Sequence, residues 1–397
     1  MRIALVSQEY PPFRSGGIAT QTYAKAHGLA ALGHEPIVLT HSDDARLKED
    51  TDGKVRVIRI PGYDDRLPIA TEIARWITYS ARVAETLSAI QRHHPLDLID
   101  FPEWGCEGYL HLLNRAAWNA VPVVVQLHGP LVMFAHTMGW PDRDSEFYKQ
   151  GTAMEGTCLR LADAVFSSSR CSAQWCADYY GIEARNVRVI HTGVNTKMFR
   201  PRTKTSSCPT IIFIGKINEN KGALQLFEAV RLLTQRHPRI RLRMVGDGES
   251  AMVDRLCQEA EASGGLPWLE LPGRIAHDRL PAELAAADIF AAPSLYEGGP
   301  GFVYLEAMAC GIPVIACRGS GASETVTDGK TGFLVDSQDV EGLVELLDRL
   351  LQNPALCAEV GANARQYVES HADSVTCMQE LEAFYSSVAR KPSGVVC

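Results

Sequence analysis

Glu297 and Glu306 belong to one segment in which an apolar strand, a glycine-rich turn and an apolar helix follow each other. Glu297 lies in the turn, and Glu306 lies on the first turns of the helix, between Leu305 and Ala307. Burying a carboxylate is costly unless hydrogen-bond donors satisfy its oxygens. Glu306 is therefore predicted to face a cation or a ligand hydroxyl, and two vicinal ribose hydroxyls would satisfy it. A glutamate that only stabilises the helix N-terminus is the alternative.

Two lysines follow the first strand of the second half of the chain. Lys216 lies at the end of that strand, and Lys221 lies near the start of the next helix. Two ammonium groups that converge at such a point would suit a diphosphate. A pair of solvated lysines is the alternative.

A glycine pair in the first half, Gly16 and Gly17, precedes a predicted helix. Backbone N–H groups at such a turn can approach a phosphate, and the helix dipole favours the anion. An ordinary tight turn is the alternative. The pair is not part of a GxGxxG motif, and Thr40, His41 and Ser42 stand where a dinucleotide site would have an acidic residue. A dinucleotide cofactor is therefore not expected.

Further polar and aromatic side chains follow predicted strands of the first half. His128 ends a buried strand, and Glu103 and Trp104 follow the strand before it. Arg14 lies in the loop that holds the glycine pair. Arg14, Glu103 and Trp104 are candidates for contacts with an acceptor substrate. For His128, a purely structural role in the core is the alternative.

Strands must position these residues, and short, nearly continuous apolar runs predict them. Such runs are typical of strands buried on both faces of a parallel sheet. In the first half they cover Ile3–Val6, Pro36–Leu39, Val55–Ile60, Leu96–Ile99, Val121–Leu127 and Ala164–Phe166. In the second half they cover Thr210–Ile214, Leu242–Val245, Ile289–Ala292, Pro313–Ala316 and Phe333–Val335. Helical patterns between them, such as Ile18–Leu32 and Ile69–Ile90, predict two doubly wound α/β domains.

A polar, proline-containing stretch from Phe199 to Pro209 separates the two series of strands. It predicts a first domain over residues 1–198 and a second over residues 209–372. Residues 373–397 begin with a helical pattern that no strand follows. Ligands of open parallel sheets bind beyond the carboxyl ends of the strands, where the candidate residues are predicted to lie.

The composition excludes several classes of protein. The 397 residues include 39 Lys and Arg against 47 Asp and Glu, a net charge of −8, which argues against a nucleic-acid binder. No apolar run has the ~18–20 residues of a membrane span. The 11 cysteines are scattered among apolar neighbours, so reduced thiols and a cytoplasmic protein are expected. They form no CxxC pair, and Asp142-Arg143-Asp144 lies in a predicted loop, so no metal site is expected.

One helix has a pattern that suggests contact with a membrane surface. Arg66, Arg75, Trp76 and Arg82 would form a basic, aromatic face for peripheral docking at the inner face of a membrane. An ordinary solvated helix surface is the alternative.

Several of these motifs occur in an order that resembles the retaining glycosyltransferases of family four. The matching segments span nearly the whole chain and are Gly16-Gly17, His128, Gly193-Val194-Asn195, Lys216 with Lys221-Gly222, Gly246-Asp247-Gly248, Gly273-Arg274-Ile275, and Glu297 with 306–314. The resemblance implies a GT-B fold. That fold has two Rossmann-like domains facing a central cleft, and a C-terminal helix that crosses back to the N-terminal domain.

The resemblance also implies an activity. The expected reaction is retaining, metal-independent transfer of a sugar, expected to be a hexose, from a nucleoside diphosphate sugar to a hydroxyl acceptor. A UDP-sugar is the favoured donor, and no cofactor is expected. The product would belong to polysaccharide, glycolipid or small-glycoside biosynthesis.

Single residues receive roles from the same resemblance. Glu306 would hold the ribose hydroxyls, Glu297 the hydroxyls of the donor sugar, and His128 would contact that sugar as well. The diphosphate would contact the lysines and the glycine pair, and the base would meet the backbone of Arg274 and Ile275. The donor-binding residues would be Gly16, Gly17, Lys216, Lys221, Arg274, Ile275, Glu297, Gly301, Phe302, Val303 and Glu306. The catalytic residues would be His128, Lys221 and Glu297.

The sequence departs from the family pattern at two points near the predicted donor site. Lys216 stands where the family commonly has arginine, which keeps the charge but loses a bidentate fork. The spacing 306 − 297 = 9 is one residue longer than is usual in the family. The extra residue precedes Pro300, which supplies no N–H. A nucleotide-sugar epimerase, a phosphorylase and a non-catalytic partner subunit are the alternatives on the same architecture.

Overall fold

The structure is a computed structural model that describes residues 1–12, 16–42, 44, 46–62, 71–116, 120–191, 193–203, 208–262 and 268–389. The chain divides into two compact units. Unit 1 contains Met1–Ile190 and the chain from Cys377 onward, and unit 2 contains His191–Thr376. Phe199, at the start of the polar stretch between the two series of strands, is buried in the core of unit 2.

Unit 1 is built on a sheet of eight strands among the described residues. They are β1 (Arg2–Val6), β2 (Glu35–Ser42), β3 (Lys48–Asp52), β4 (Val55–Pro61), β5 (Leu98–Pro102), β6 (Val123–Leu127), β7 (Ala164–Ser167) and β8 (Val187–Val189). Their order in the sheet is β3-β4-β2-β1-β5-β6-β7-β8. The pairing is parallel along the sheet, apart from the antiparallel pair of β3 and β4 at its edge.

Helices cover both faces of this sheet. They are α1 (Gly17–Ala31), α2 (Glu72–His93), α3 (Tyr109–Leu113), α4 (Leu131–Met138), α5 (Glu146–Leu161) and α6 (Arg170–Tyr180). Every residue of β6 is buried; Val123 and Val125 contribute to one apolar cluster, and Val124 contributes to another. Because the side chains of a strand alternate between its faces, an uninterrupted apolar run is what a strand covered on both faces requires.

Unit 2 repeats the architecture, and the part of it that the structure describes forms a parallel sheet of six strands. They are β9 (Thr210–Ile214), β10 (Arg241–Val245), β11 (Leu269–Gly273), β12 (Ile289–Ala291), β13 (Val314–Cys317) and β14 (Phe333–Val335), in the order β11-β10-β9-β12-β13-β14. The helices are α7 (Ala223–Leu233), α8 (Ser250–Ala262), α9 (Leu280–Ala285), α10 (Phe302–Ala309), α11 (Val340–Leu351) and α12 (Pro354–His371). The two sheets confirm the predicted pair of doubly wound α/β domains.

The last helix, α13 (Ser374–Ala389), packs on the sheet of unit 1. Leu381, Tyr385 and Val388 belong to the same buried cluster as Leu5 and Leu98. The hydroxyl of Tyr385 donates a hydrogen bond of 2.5 Å to Oδ2 of Asp100 on β5. The predicted return of the C-terminal helix to the first domain is therefore confirmed.

Candidate active site

The loops after β9 and β12 meet at the topological switch point of unit 2. The two strands are neighbours in the sheet, although the chain runs from β9 to β10 and β11 on the other side. Ligands of doubly wound sheets bind at such points, beyond the carboxyl ends of the strands. The N–H of Leu295 donates to the carbonyl of Asn220 at 2.9 Å, so the loop that carries Lys221 contacts the loop that carries Glu297.

A short turn positions Lys221 at this point. Asn218 caps the turn, because its Oδ1 accepts the N–H of Lys221 at 3.0 Å. Gly222 follows with a φ of +72°. A Cβ atom at Gly222 would lie 2.4 Å from the carbonyl oxygen of Pro293, so glycine alone permits both the conformation and the close approach.

Lys221 and Glu297 form an ion pair. The Nζ atom of Lys221 lies 2.7 Å from Oε1 of Glu297, and the two side chains are 33% and 15% exposed. The N–H of Gly321 donates to the carbonyl oxygen of Glu297 at 2.8 Å and fixes the backbone of the loop. The structure therefore brings together Lys221, predicted to contact the diphosphate, and Glu297, predicted to contact the sugar hydroxyls, despite the extra residue before Pro300.

Glu306 lies on α10 with only 4% of its side chain exposed. Its Oε1 is 2.6 Å from Nε2 of His277, and the His277 ring lies 5.3 Å from the ring of Phe199. The hydrogen bond to Glu306 and the negative charge of this carboxylate raise the pKa of His277. No acidic residue lies in the first turn of α10, so Glu306 is not a simple N-terminal helix stabiliser.

His277 was not among the predicted site residues. It lies 29 positions before Glu306, outside the motifs that the sequence offers. A histidine that follows a strand is too common a feature to single it out. Only the fold shows that its ring meets the buried carboxylate.

The start of α10 adds backbone donors to the same region. Gly301 is the N-cap, with a φ of +67° and no capping side chain, and Phe302 and Val303 follow it. The first N–H groups of a helix have no intrahelical acceptor, so they can donate to an anion or a hydroxyl.

Three other predicted donor-binding residues lie at neighbouring strand ends of unit 2. Lys216 is exposed after β9, and Arg274 is exposed after β11. Ile275 packs against the core of the unit. A backbone hydrogen bond joins the ends of β10 and β11, since the N–H of Gly246 donates to the carbonyl of Gly273 at 3.0 Å. Contacts of these residues with a donor stay predictions.

The glycine pair of unit 1 lies where α1 begins, after β1. Gly16 is the N-cap, and a Cβ atom there would lie 2.3 Å from Oε2 of Glu9. A Cβ atom on Gly17 would meet open space, and the first turn of α1 holds no acidic side chain. This helix start suits the approach of an anion. Arg14 lies outside the described residues.

Glu103 is fully buried at the carboxyl end of β5, which corrects its predicted contact with an acceptor. Its Oε1 accepts the backbone N–H groups of His128 at 2.6 Å and of Gly129 at 2.5 Å. Burial raises the pKa of this carboxyl to about 7. The side chain therefore holds the backbone at the end of β6 and is enclosed by unit 1 itself.

The imidazole of His128 is kept neutral. Burial, together with the positive charge of Lys25, lowers the pKa of His128 to about 3. Its buried Nδ1 has no hydrogen-bond partner among the described residues. An uncharged ring can hydrogen-bond to a ligand hydroxyl only through a nitrogen that the ligand reaches, and it does not carry a second proton at neutral pH.

Trp104 is half-buried and rests against Trp76, with ring centroids 5.9 Å apart. Trp76 is only 4% exposed, which corrects the predicted membrane-docking face, because its aromatic member points into the core. Arg82 donates to the carbonyl of Pro61 at 2.9 Å. Arg66 lies outside the described residues.

The described residues contain neither a metal-binding cluster nor a membrane-spanning helix. No group of three or more His, Cys, Asp and Glu side chains within the described ranges is placed to hold a metal ion. No helix in this part of the chain is both long and apolar enough to cross a membrane.

Comparison with known proteins identifies the family. The profile described as "Glycosyl transferases group 1" matches residues 194–367, and the profile described as "Glycosyltransferase Family 4" matches residues 15–198. A GDP-mannose-dependent alpha-(1-6)-phosphatidylinositol monomannoside mannosyltransferase from Mycolicibacterium smegmatis is 30% identical over 391 residues, covering 91% of this chain and 92% of the relative. The chain belongs to glycosyltransferase family 4.

A further relative and a solved structure are similar to the chain in sequence and in fold, respectively. Glycogen synthase from Mycobacterium tuberculosis is 26% identical, covering 98% of this chain and 95% of the relative. The structure of sucrose-phosphate synthase from Thermosynechococcus elongatus matches with a TM-score of 0.82 at 22% identity, over 98% of both chains. These comparisons confirm the predicted GT-B fold and the predicted enzyme class, a sugar-nucleotide-dependent glycosyltransferase. They do not support the alternatives of an epimerase or a phosphorylase.

Proposed function

We propose that this family 4 glycosyltransferase transfers a hexosyl unit from a nucleoside diphosphate sugar to a hydroxyl acceptor, with retention of anomeric configuration and without a metal ion. The observation that carries the proposal is the contact between Lys221 and Glu297 at the switch point of unit 2. A cation suited to a diphosphate and a carboxylate suited to sugar hydroxyls lie side by side there, which supports the proposal. Glu306, buried on the following helix, is assigned to the ribose hydroxyls.

Positive potential at the leaving group would supply most of the catalysis. The glycosidic bond to the diphosphate breaks, negative charge builds on the leaving phosphate, and the sugar ring gains oxocarbenium character. Lys221, Lys216 and the N–H groups at the start of α10 would stabilise that phosphate without reorganising, which is the largest contribution in many enzymes. In unit 1 the N–H groups of Gly16 and Gly17 are assigned to the phosphates.

Retention would follow from attack on the face that the leaving group vacates. A phosphate oxygen of the departing diphosphate takes the proton of the acceptor hydroxyl as the new glycosidic bond forms. Same-face attack needs no covalent intermediate, so Glu297 would act as a hydrogen-bond acceptor for the donor sugar rather than as a nucleophile. The neutral ring of His128 would hydrogen-bond to the sugar without adding positive charge beside the oxocarbenium ion.

The nucleotide is proposed to be UDP, which the resemblance to the family favours, and GDP is the second candidate. The observation that favours GDP is the 30% identical relative, whose name specifies GDP-mannose. The contacts assigned to the base are backbone contacts near Ile275, which fit either base.

Calorimetric titration with UDP and with GDP in excess EDTA tests the proposal. One nucleotide is expected to bind without metal, and the Glu306→Gln variant is expected to bind it at least about tenfold more weakly, because one carboxylate oxygen becomes a donor. A requirement for added Mg²⁺ would exclude the metal-independent site. Absence of binding by both nucleotides, in a protein with normal circular dichroism, would overturn the donor assignment.

The acceptor sets the biosynthetic role. The names of two relatives imply different acceptors, a phosphatidylinositol mannoside for one and glycogen for the other. Membership of the family therefore leaves polysaccharide, glycolipid and small-glycoside synthesis as the proposed roles, and peripheral contact with a membrane belongs to the glycolipid case.

A further inference from the structure

Trp104, Phe134 and Trp140 form an open aromatic cluster on unit 1. The ring centroids of Trp104 and Phe134 lie 5.2 Å apart, and Trp140 lies 6.3 Å from Trp104 and 6.4 Å from Phe134. Trp140 is 52% exposed, and the other two rings are half-buried. Large exposed aromatic surfaces of this kind commonly mark binding sites, because leaving them in water is unfavourable.

The buried ring of Trp76 and the half-buried ring of Phe147 hold the cluster in place. Trp104 makes an edge contact with Trp76, which is 4% exposed. Phe147 on α5 lies 5.3 Å from Trp76 and 5.9 Å from Trp140. The exposed indole therefore lies beside Phe147, a half-buried ring that packs against the core of unit 1. Rigid aromatic surfaces bind with little loss of conformational entropy.

The cluster adjoins the candidate residues at the ends of β5 and β6. Trp104 directly follows Glu103, whose Oε1 accepts the N–H of His128. Phe134 lies on the first turn of α4, which begins two positions after Gly129. Trp140 follows Gly139, the left-handed C-cap of the same helix. The loop and helix that position His128 thus also position the aromatic cluster.

A short charged segment with a net negative charge follows the exposed ring in the chain. Asp142 and Asp144 are exposed on the loop after Trp140, with Arg143 between them. Because two carboxylates outnumber one guanidinium here, the net negative charge disfavours binding of a phosphate headgroup or of an anionic membrane surface. These side chains suit hydroxyl groups, which can donate to carboxylates and accept from arginine. A pyranose ring has this combination, an apolar C–H face and an edge of hydroxyls.

We propose that the aromatic cluster binds a sugar ring of the acceptor, stacked on Trp140, with Asp142 and Asp144 accepting its hydroxyl protons. The acceptor is then a glycoside or glycan, and the enzyme elongates an existing sugar. This inference rests on the proposed function, because it names the acceptor class for the same reaction. Other occupants of the cluster would be a lipid surface or a second copy of the chain.

The test compares Trp140→Ala with Trp140→Phe and with Leu232→Ala. Leu232 is 45% exposed on α7 of unit 2, so its removal is a matched loss of exposed apolar surface elsewhere. Transfer is measured from labelled UDP-hexoses and GDP-hexoses to p-nitrophenyl hexosides and neutral disaccharides, and to vesicles containing phosphatidylinositol. Hydrolysis of the donor without acceptor and calorimetric binding of the nucleotide report on the donor site.

The expected result is transfer to sugar acceptors with KM raised about tenfold or more in Trp140→Ala, equivalent to ~1.4 kcal/mol. Trp140→Phe should recover part of the loss, and Leu232→Ala should match the wild type. Donor hydrolysis and nucleotide binding should be unchanged in all three variants. Sugar acceptors should also quench tryptophan fluorescence in the wild type and less so in Trp140→Ala.

Three outcomes would overturn the inference. They are an unchanged acceptor KM in Trp140→Ala, transfer to the vesicles alone, and a Trp140-dependent dimer in analytical ultracentrifugation with no sugar binding. If the wild-type protein binds nucleotide and hydrolyses donor but uses no sugar acceptor, only the acceptor class fails. If it neither binds nucleotide nor hydrolyses donor, the proposed function fails instead.

Discussion

The ammonium nitrogen of Lys221 lies 2.7 Å from Oε1 of Glu297, although the two residues are 76 positions apart in the chain. Two loops at neighbouring strand ends must both be in place for this contact to form. An incoming diphosphate would compete with Glu297 for the ammonium group. Donor binding is therefore expected to exchange one charge-assisted contact for another rather than to fill an unused site.

Replacing Lys221 with methionine should lower kcat/KM by about a hundredfold or more, because a preplaced cation at the leaving group is lost. Lys221→Arg, which keeps the charge, should retain more activity. The free energy of unfolding should change by less than about 1 kcal/mol, since partly exposed ion pairs contribute little. Steady-state kinetics and urea denaturation of both variants measure these effects. A kcat/KM equal to that of the wild type in Lys221→Met would remove Lys221 from the mechanism.

The turn at Gly222 should be sensitive to a single methyl group. Gly222→Ala adds the cost of a left-handed conformation, ~1–2 kcal/mol, and a clash with the carbonyl of Pro293. Gly329 has the same φ of +72°, and a Cβ atom there would meet nothing within 4 Å. Gly329→Ala is therefore the matched control, expected to lose stability but not activity. Equal losses of activity in the two variants would argue against a positioning role for Gly222.

The raised pKa of His277 predicts a contribution to stability that depends on pH. The folded state binds the proton more tightly than the unfolded state, so the contribution is fully present below the ordinary histidine pKa of ~6.5. It is lost as the pH rises through the raised pKa. The difference in unfolding free energy between wild type and His277→Gln should therefore be largest below about pH 6.5 and shrink as the pH rises above it.

A second pair of variants shows whether this effect acts through Glu306. The same histidine substitution is measured in a Glu306→Gln background by urea denaturation. With the carboxylate gone, most of the pH dependence should disappear, leaving the smaller effect of the neighbouring Asp278. A pH dependence that persists unchanged in this background would assign it to groups other than Glu306.

Glu103 should lower stability as the pH rises from acidic to neutral values. Its folded pKa of about 7 lies above the usual glutamate value of ~4.3, so the folded state binds the proton more tightly and stability falls as pH rises between these values. Glu103→Gln removes this loss and keeps an oxygen that can accept both N–H groups. The variant should therefore gain stability relative to the wild type between pH 4.5 and 7, by up to about 3 kcal/mol. Thermal unfolding in a series of buffers measures the trend, and a constant difference would disprove it.

The sequence predicts the buried strands well because each of them is covered on both sides. β9 has the predicted bounds Thr210–Ile214, and every residue in it is buried. The edge strand β3 escapes prediction because Lys48–Asp52 is polar, with exposed side chains and little apolar signal. It is stabilised instead by pairing with β4 and by ion pairs such as Arg56 with Glu49. Such contacts between strands cannot be seen in a local pattern.

The site shows the same division. Lys221, Glu297 and Glu306 are predictable because their motifs follow strands in order, and the carboxyl ends of parallel strands meet at one edge. His277, the partner of Glu306, cannot be predicted in this way, because its ring meets the carboxylate only through the packing of unit 2. Glu103 is misassigned for a related reason. A carboxylate at a strand end has the same sequence signature whether it faces solvent or accepts backbone N–H groups.

The placement of α13 on unit 1 has a consequence for synthesis on the ribosome. All of unit 2 is translated before the residues that complete the core of unit 1, since the chain returns to that unit only at Cys377. Until then, the cluster around Leu5 and Leu98 lacks Leu381, Tyr385 and Val388. Unit 2 can therefore close its core while the nascent unit 1 still exposes apolar surface, a state in which chaperones bind and truncated chains aggregate.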